Sequence, residues 1–362
     1  MQQLGYGIIG LGMVSKRHLD AAETIPGARL VAIADHNVEK AEDVSAQRHS
    51  HPTVYGDYHD LLADADVDVV VVAVPTQFHA EVAIAAAEAG KHIYCEKAMA
   101  PTLAQCRAMI AAADDNDIKL TIGQSTRFQA HFVQARRVIE NGQIGEIIAV
   151  DGAFPQSATT PDKVRDDFWR FKAGARGHGF VVNFGCHYID TARYLCDYDP
   201  REISAWIANR FSDGQTPEDQ FIITAICQDQ VAINIAMYSA PNSTPSRTNG
   251  FVIYGTEGIL EAYYRPDGVA LKRGSEDLQP IELDQDLKAE ETWLRFHRLF
   301  RECIENDTAP PVTGRDGMLN VEWALAAYLA NERRAWMDLP LGPEFYEYAG
   351  PRLYESLPVP QA

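Results

Sequence analysis

The sequence predicts an α/β chain that begins with a doubly wound parallel sheet, and three observations carry that prediction. From Leu4 to about Gly123, short apolar runs alternate with longer helical patterns. The runs are rich in β-branched residues, as strands covered on both faces by crossover helices must be. Glycines cluster where the first strand should give way to a helix.

In chain order the strands read Tyr6 to Ile9, Leu30 to Ala34, Thr53 to Tyr55, Val69 to Val74, His92 to Cys95 and Lys119 to Ile122. Alanine-rich Ala80 to Ala89 reads as a helix, and a capping box of Thr102 and Gln105 opens another over Cys106 to Ala113. Downstream, Ile222 to Cys227 and Val231 to Tyr238 are strand-like, and the link Gln228-Asp229-Gln230 predicts a hairpin. Glu290 to Glu305 and Asp316 to Met337 have helical patterns. A length of 362 residues with 46% hydrophobic content supports two cores, set at residues 1–123 and 124–362.

Lysine and arginine total 32 against 51 acidic residues, a net charge of -19 that opposes binding to nucleic acid or anionic lipid. No segment reads as an export signal or as a bilayer span. The six cysteines show neither disulfide nor zinc spacing, so no metal is expected and a reducing cytoplasm fits.

The turn Gly10-Leu11-Gly12-Met13-Val14-Ser15 is a G-x-G-x-x-S form of the dinucleotide fingerprint. Gly10 permits the tight turn, Gly12 lets backbone N–H groups of the Met13-Val14 stretch approach a pyrophosphate, and the next helix aims its positive end at that anion. Asp35 ends the second strand, where a carboxylate accepts from both ribose hydroxyls and repels a 2'-phosphate. His36 and Asn37 follow, with no arginine directly after them to neutralise such a phosphate and Arg17 on the first helix the one complication, so NAD is expected rather than NADP. Pro75, Thr76 and His79 follow the fourth strand, and Glu96 and Lys97 the fifth. In an open α/β sheet that edge binds ligands, which places them toward the nicotinamide end.

A third cluster is Asn183-Phe184-Gly185-Cys186-His187-Tyr188-Ile189-Asp190, running into a helix. His187 and Asp190, three apart, would share a helix face, so that the carboxylate raises the histidine pKa into a range for proton transfer.

Together these motifs resemble the glucose-fructose oxidoreductase, inositol dehydrogenase and rhizopine-catabolism (Gfo/Idh/MocA) family over most of the chain. The glycine fingerprint, the stretch Ala87 to Ala98 and the segment Asn183 to Asp190 match its motifs, with weaker echoes at Arg127, Asn141 to Glu146 and Gly255 to Gly258. The resemblance implies a Rossmann domain followed by an α+β domain on a large, mixed, mainly antiparallel open sheet. That sheet's free face often makes the oligomer contact, which implies a homodimer or homotetramer. Two departures stand out: Ala98 replaces the proline of the family's Glu-Lys-Pro, and Asn183 replaces an aspartate.

The implied activity is hydride transfer from a secondary alcohol of a sugar to NAD. His187 is the expected base, Lys97 the donor that stabilises alkoxide character, and Asn183 a positioning group, since an amide takes no proton. Arg127, Arg165, Trp169 and Arg170 are the further substrate-binding candidates, the cations among Lys163 to Arg176 fitting either a solvated loop, the commoner case, or an anionic sugar, and Trp169 offering a stacking surface. Asn183 also suits an NAD-dependent glycosidase that oxidises a ring carbon transiently, eliminates the aglycone and reduces the ring again. A non-catalytic dinucleotide sensor is the remaining alternative.

Overall fold

The computed structural model describes residues 3–157, 179–210, 218–240, 249–264 and 267–350. The chain divides into two compact units, Met1–Ser125 with Glu291–Leu319, and Thr126–Glu290 with Asn320–Ala362.

In the first unit the strands are β1 (Leu4–Ile9), β2 (Ala28–Ala34), β3 (Thr53–Tyr55), β4 (Val69–Val72), β5 (His92–Cys95) and β6 (Leu120–Ile122). They form one parallel sheet in the order β3-β2-β1-β4-β5-β6. This order reverses direction between β1 and β4, the point where doubly wound folds open a crevice at their strand ends. All four valines of β4 are fully buried, because the sheet is covered on both faces. The helices α1 (Ser15–Thr24), α2 (Val38–Ala46), α3 (Tyr58–Leu62), α4 (His79–Glu88) and α5 (Leu103–Asp115) link successive strands. Thr102 caps α5 as expected, its hydroxyl accepting from the Gln105 N–H at 3.2 Å.

The second unit opens with α6 (Ala130–Glu140), β7 (Ile147–Ser157), α7 (Cys186–Cys196), β8 (Pro200–Ala208), β9 (Gln220–Cys227) and β10 (Ala232–Ala240). It continues through β11 (Gly250–Gly255), β12 (Gly258–Tyr264), β13 (Asp267–Arg273), β14 (Gln279–Ile281) and α8 (Gln285–Ala289). Helix α9 (Thr292–Glu305) belongs to the first unit, α10 (Gly314–Arg333) crosses from the first to the second, and β15 (Met337–Asp338) closes the second sheet. Among the described residues that sheet has nine strands, ordered β14-β13-β12-β11-β7-β10-β9-β8-β15. It is mixed, since β10 pairs parallel with β7 and antiparallel with β9. The predicted hairpin is therefore present, turning at Gln228–Gln230.

Alternation along β10 decides its faces. Ile233, Ile235 and Met237 are buried under α6 and α7, where Tyr188 stacks on Phe154 and Phe132 meets Phe251 edge-on. The opposite face leaves Trp206, Ile222 and Tyr238 exposed, at 43%, 36% and 41%. Among the described residues no helix is long and apolar enough to cross a membrane.

Candidate active site

The first unit builds a dinucleotide cradle. Gly10 has a φ of +90°, and a Cβ there would lie 2.8 Å from the Ala73 backbone, so only glycine makes this turn. At Gly12 a Cβ would meet nothing within 4 Å, which leaves the loop open to an approaching phosphate. Met13 stands exposed and Val14 half-buried beside that opening. Ser15 fills the third glycine position at little steric cost, being buried with its hydroxyl donating to the Gly12 carbonyl at 2.7 Å.

Asp35 is tied to the same loop. Its carboxylate accepts from the Leu11 N–H at 2.8 Å and the Asn37 N–H at 3.0 Å, with the Lys40 ammonium at 3.4 Å. Burial pushes its pKa up, but these N–H groups and the charges of Lys40 and His36 outweigh burial and hold it below the usual value. His36 is almost fully exposed, 3.3 Å from the carboxylate. An open glycine loop at a helix N-terminus beside a fixed carboxylate fits NAD.

At the ends of β4 and β5 the expected residues separate. Pro75 and Thr76 are half-buried on the turn that precedes α4, and Lys97 is half-buried at the end of β5, before a cis Lys97–Ala98 bond. His79 and Glu96, expected to line the cofactor, instead point inward. His79 is buried between the two strand-end loops, its ring nitrogens 2.9 Å from the carbonyls of Val74 and Ala98, to one of which a neutral ring donates. Burial lowers its pKa, against the opposing pull of those carbonyls and of Glu96. Glu96 is buried, bonded to His18 and to the Lys97 N–H.

In the second unit, a π-helical turn at Val181–Gly185 leads into α7 and carries Asn183, with His187 following in the first turn of α7. Such turns recur at functional sites. Glu218 caps it: the buried carboxylate accepts from the Val181 N–H at 3.0 Å and the Tyr328 hydroxyl at 2.5 Å. A side chain at Gly179 would collide with that carboxylate, 2.0 Å away. His187 is half-buried, with Nδ1 3.1 Å from the Thr126 hydroxyl.

The expected contact between His187 and Asp190 is replaced by another. Asp190 is fully buried and accepts a bidentate pair from Arg127, at 2.8 and 2.5 Å, plus the Asn320 amide at 2.7 Å. Its charge is balanced by the guanidinium rather than aimed at the imidazole. Arg127, expected on the substrate, is thereby an anchor of α7, its guanidinium also lying over the Tyr194 ring at 5.3 Å. Arg165, Trp169 and Arg170 lie outside the described residues. Sequence reading missed Thr126, Glu218, His18 and His297, none of which sits in a motif; only their burial with polar partners reveals them.

Comparison with known proteins agrees with this architecture. Residues 4–124 match the model of an oxidoreductase family with an NAD-binding Rossmann fold, and residues 132–261 match the GFO/IDH/MocA C-terminal domain. A levoglucosan dehydrogenase of Pseudarthrobacter phenanthrenivorans is 32% identical, over 74% of this chain and 75% of its own. An inositol 2-dehydrogenase of Salmonella typhimurium is 26% identical over 94% of this chain and 98% of its own. Among solved structures, an aldose-aldose oxidoreductase from Caulobacter crescentus aligns with a TM-score of 0.82 at 26% identity, over 93% of this chain and 100% of that one.

Proposed function

The chain belongs to the Gfo/Idh/MocA oxidoreductase family, with an NAD-binding Rossmann domain, and from that premise we propose that it oxidises a secondary alcohol of a cyclic sugar or polyol. Relatives named for inositol, levoglucosan and 1,5-anhydro-D-fructose support that substrate class.

The observation that carries the reading is the built turn at Val181–Gly185, where a buried carboxylate fixes the backbone presenting Asn183 and His187. Bound NAD supplies the hydride acceptor. The Thr126 hydroxyl lies 3.1 Å from His187 Nδ1, which supports Nε2 as the atom that takes the substrate proton. Lys97 is assigned the stabilisation of charge that develops on a substrate oxygen, and Asn183 the orientation of a substrate hydroxyl. Asp35 selects the unphosphorylated ribose, giving NAD preference over NADP. The exposed row of Trp206, Ile222 and Tyr238 supports a homo-oligomer joined through the second sheet.

The test is a panel of myo-inositol, levoglucosan, free aldoses, uronates, sugar phosphates and aryl glycosides, followed for NADH and for released aglycone, with and without added NAD. Stoichiometric NADH supports the dehydrogenase; aglycone release without net NADH replaces it with the glycosidase.

A further inference from the structure

Behind the strand end that carries Lys97, the first unit buries a chain of three ionisable side chains. Glu96 Oε1 lies 3.0 Å from His18 Nε2, and His18 Nδ1 lies 2.9 Å from His297 Nε2. Both imidazoles are fully buried. Tyr94 stacks on His297 at 4.6 Å with 6° between the rings, and the edges of Tyr94 and Trp293 meet His18 at 5.0 Å. Glycine at position 123 makes room, since a Cβ there would sit 2.9 Å from Glu96 Oε1. The other carboxylate oxygen accepts the Lys97 backbone N–H at 3.2 Å.

The hydrogen bonds fix a direction. A carboxylate accepts, so His18 donates from Nε2. A neutral His18 then has a bare Nδ1, which must accept from the Nε2–H of His297. That leaves His297 Nδ1 as a bare lone pair, and it is this atom that lacks a hydrogen-bond partner among the described residues. Reversing the His–His bond would leave a lone pair of neutral His18 facing the carboxylate. Burial holds the His297 pKa well below the usual histidine value, which keeps that ring neutral.

We propose that His18 and His297 are positioning residues: an imidazole chain of fixed tautomer that holds the Glu96 carboxylate and, through it, the backbone of Lys97. The chain also ties α1, which follows the glycine loop, to that strand end. The catalytic meaning rests on the role given to Lys97 above, whereas the chain itself is tested without any sugar.

Two-bond 1H–15N spectra of 15N-histidine protein, assigned with His18→Gln and His297→Gln, should show both rings protonated at Nε2 alone at neutral pH. His297→Phe keeps a ring against Tyr94 but removes the donor, and His297→Gln keeps an N–H. Hydrogen exchange of the 95–99 backbone should rise roughly tenfold in the phenylalanine variant and stay near wild type in the glutamine variant. The NADH Kd should change by less than about twofold in both. A His18 protonated at Nδ1, equal exchange in the two variants, or no change in either overturns the proposal. If the phenylalanine variant does not fold, the tautomers and wild-type-like exchange in the glutamine variant decide it. A sugar panel without turnover would remove the proposed reaction and leave these results standing.

Discussion

Replacing Asp35 with asparagine separates ribose recognition from loop architecture. In the structure each carboxylate oxygen accepts one backbone N–H, from Leu11 and from Asn37. An amide keeps one acceptor and turns its NH2 toward the other N–H, and it removes the charge that ribose hydroxyls would bond. Losing one charge-assisted hydrogen bond to the cofactor costs about 1.5–3 kcal/mol, so the NADH Kd should rise by roughly 10- to 150-fold. For NADPH the same change removes a repulsion that reaches about 4 kcal/mol for unit charges at ~4 Å in an interfacial dielectric. The Lys40 ammonium, 3.4 Å from the present carboxylate, is placed to take a phosphate. NADPH should therefore bind as well as before or better. Fluorescence titration of both nucleotides reads the ratio. An NADH Kd within about twofold of wild type refutes the ribose contact, and an equal loss for both nucleotides means that only the loop has collapsed.

Arg127→Met strands the buried Asp190 charge and should cost about 3–5 kcal/mol in urea unfolding, while the double variant Arg127→Met/Asp190→Leu recovers most of it; an unchanged single variant would contradict the anchor role. Lys97→Met and His187→Asn should each lower kcat by roughly 10²–10⁴ on whichever panel sugar is oxidised, with NADH binding near wild type, and full activity in either would exclude it from the chemistry. Burial lowers the His131 pKa to about 4, so on acidification from about 6.5 toward 4 the unfolded chain takes up a proton that the folded chain refuses. Stability should fall by ~3 kcal/mol across that window, a slope that denaturation midpoints in His131→Phe should show flattened. If copies of the chain join through the exposed sheet face as proposed, Trp206→Glu should lower the mass read by light scattering, and an unchanged mass would refute that contact.

The fold was legible because its signals are local and periodic. Glycines at a strand-to-helix junction, uniformly apolar β4 and the alternation of β10 each follow from what one residue's immediate neighbours require. Strand ends shifted by a residue or two, as with Val69–Val72 against an expected end at Val74, because the last residues of a strand lose their ladder partners before their apolar character changes. The swap of Asp190 from His187 to Arg127 was not legible, since a spacing of three names two residues on one helix face without saying what the rest of the fold brings to each.

The polar residues at the ends of β4 and β5 show why a site is harder to read than a fold. The sheet's topology brings His79, Glu96 and Lys97 to the chain that follows the C-terminal ends of β4 and β5. Yet the last turn of chain around such an edge has its own buried carbonyls and N–H groups to satisfy, and polar side chains nearby are the cheapest partners. His79 lies between two carbonyls, to one of which its neutral ring donates, and Glu96 accepts from one N–H and one imidazole, so both are consumed in holding the loop that carries Lys97. Deciding which member of a strand-end trio faces a ligand depends on side chains from distant segments, here His18 on α1 and His297 on α9, whose positions follow only from the finished fold.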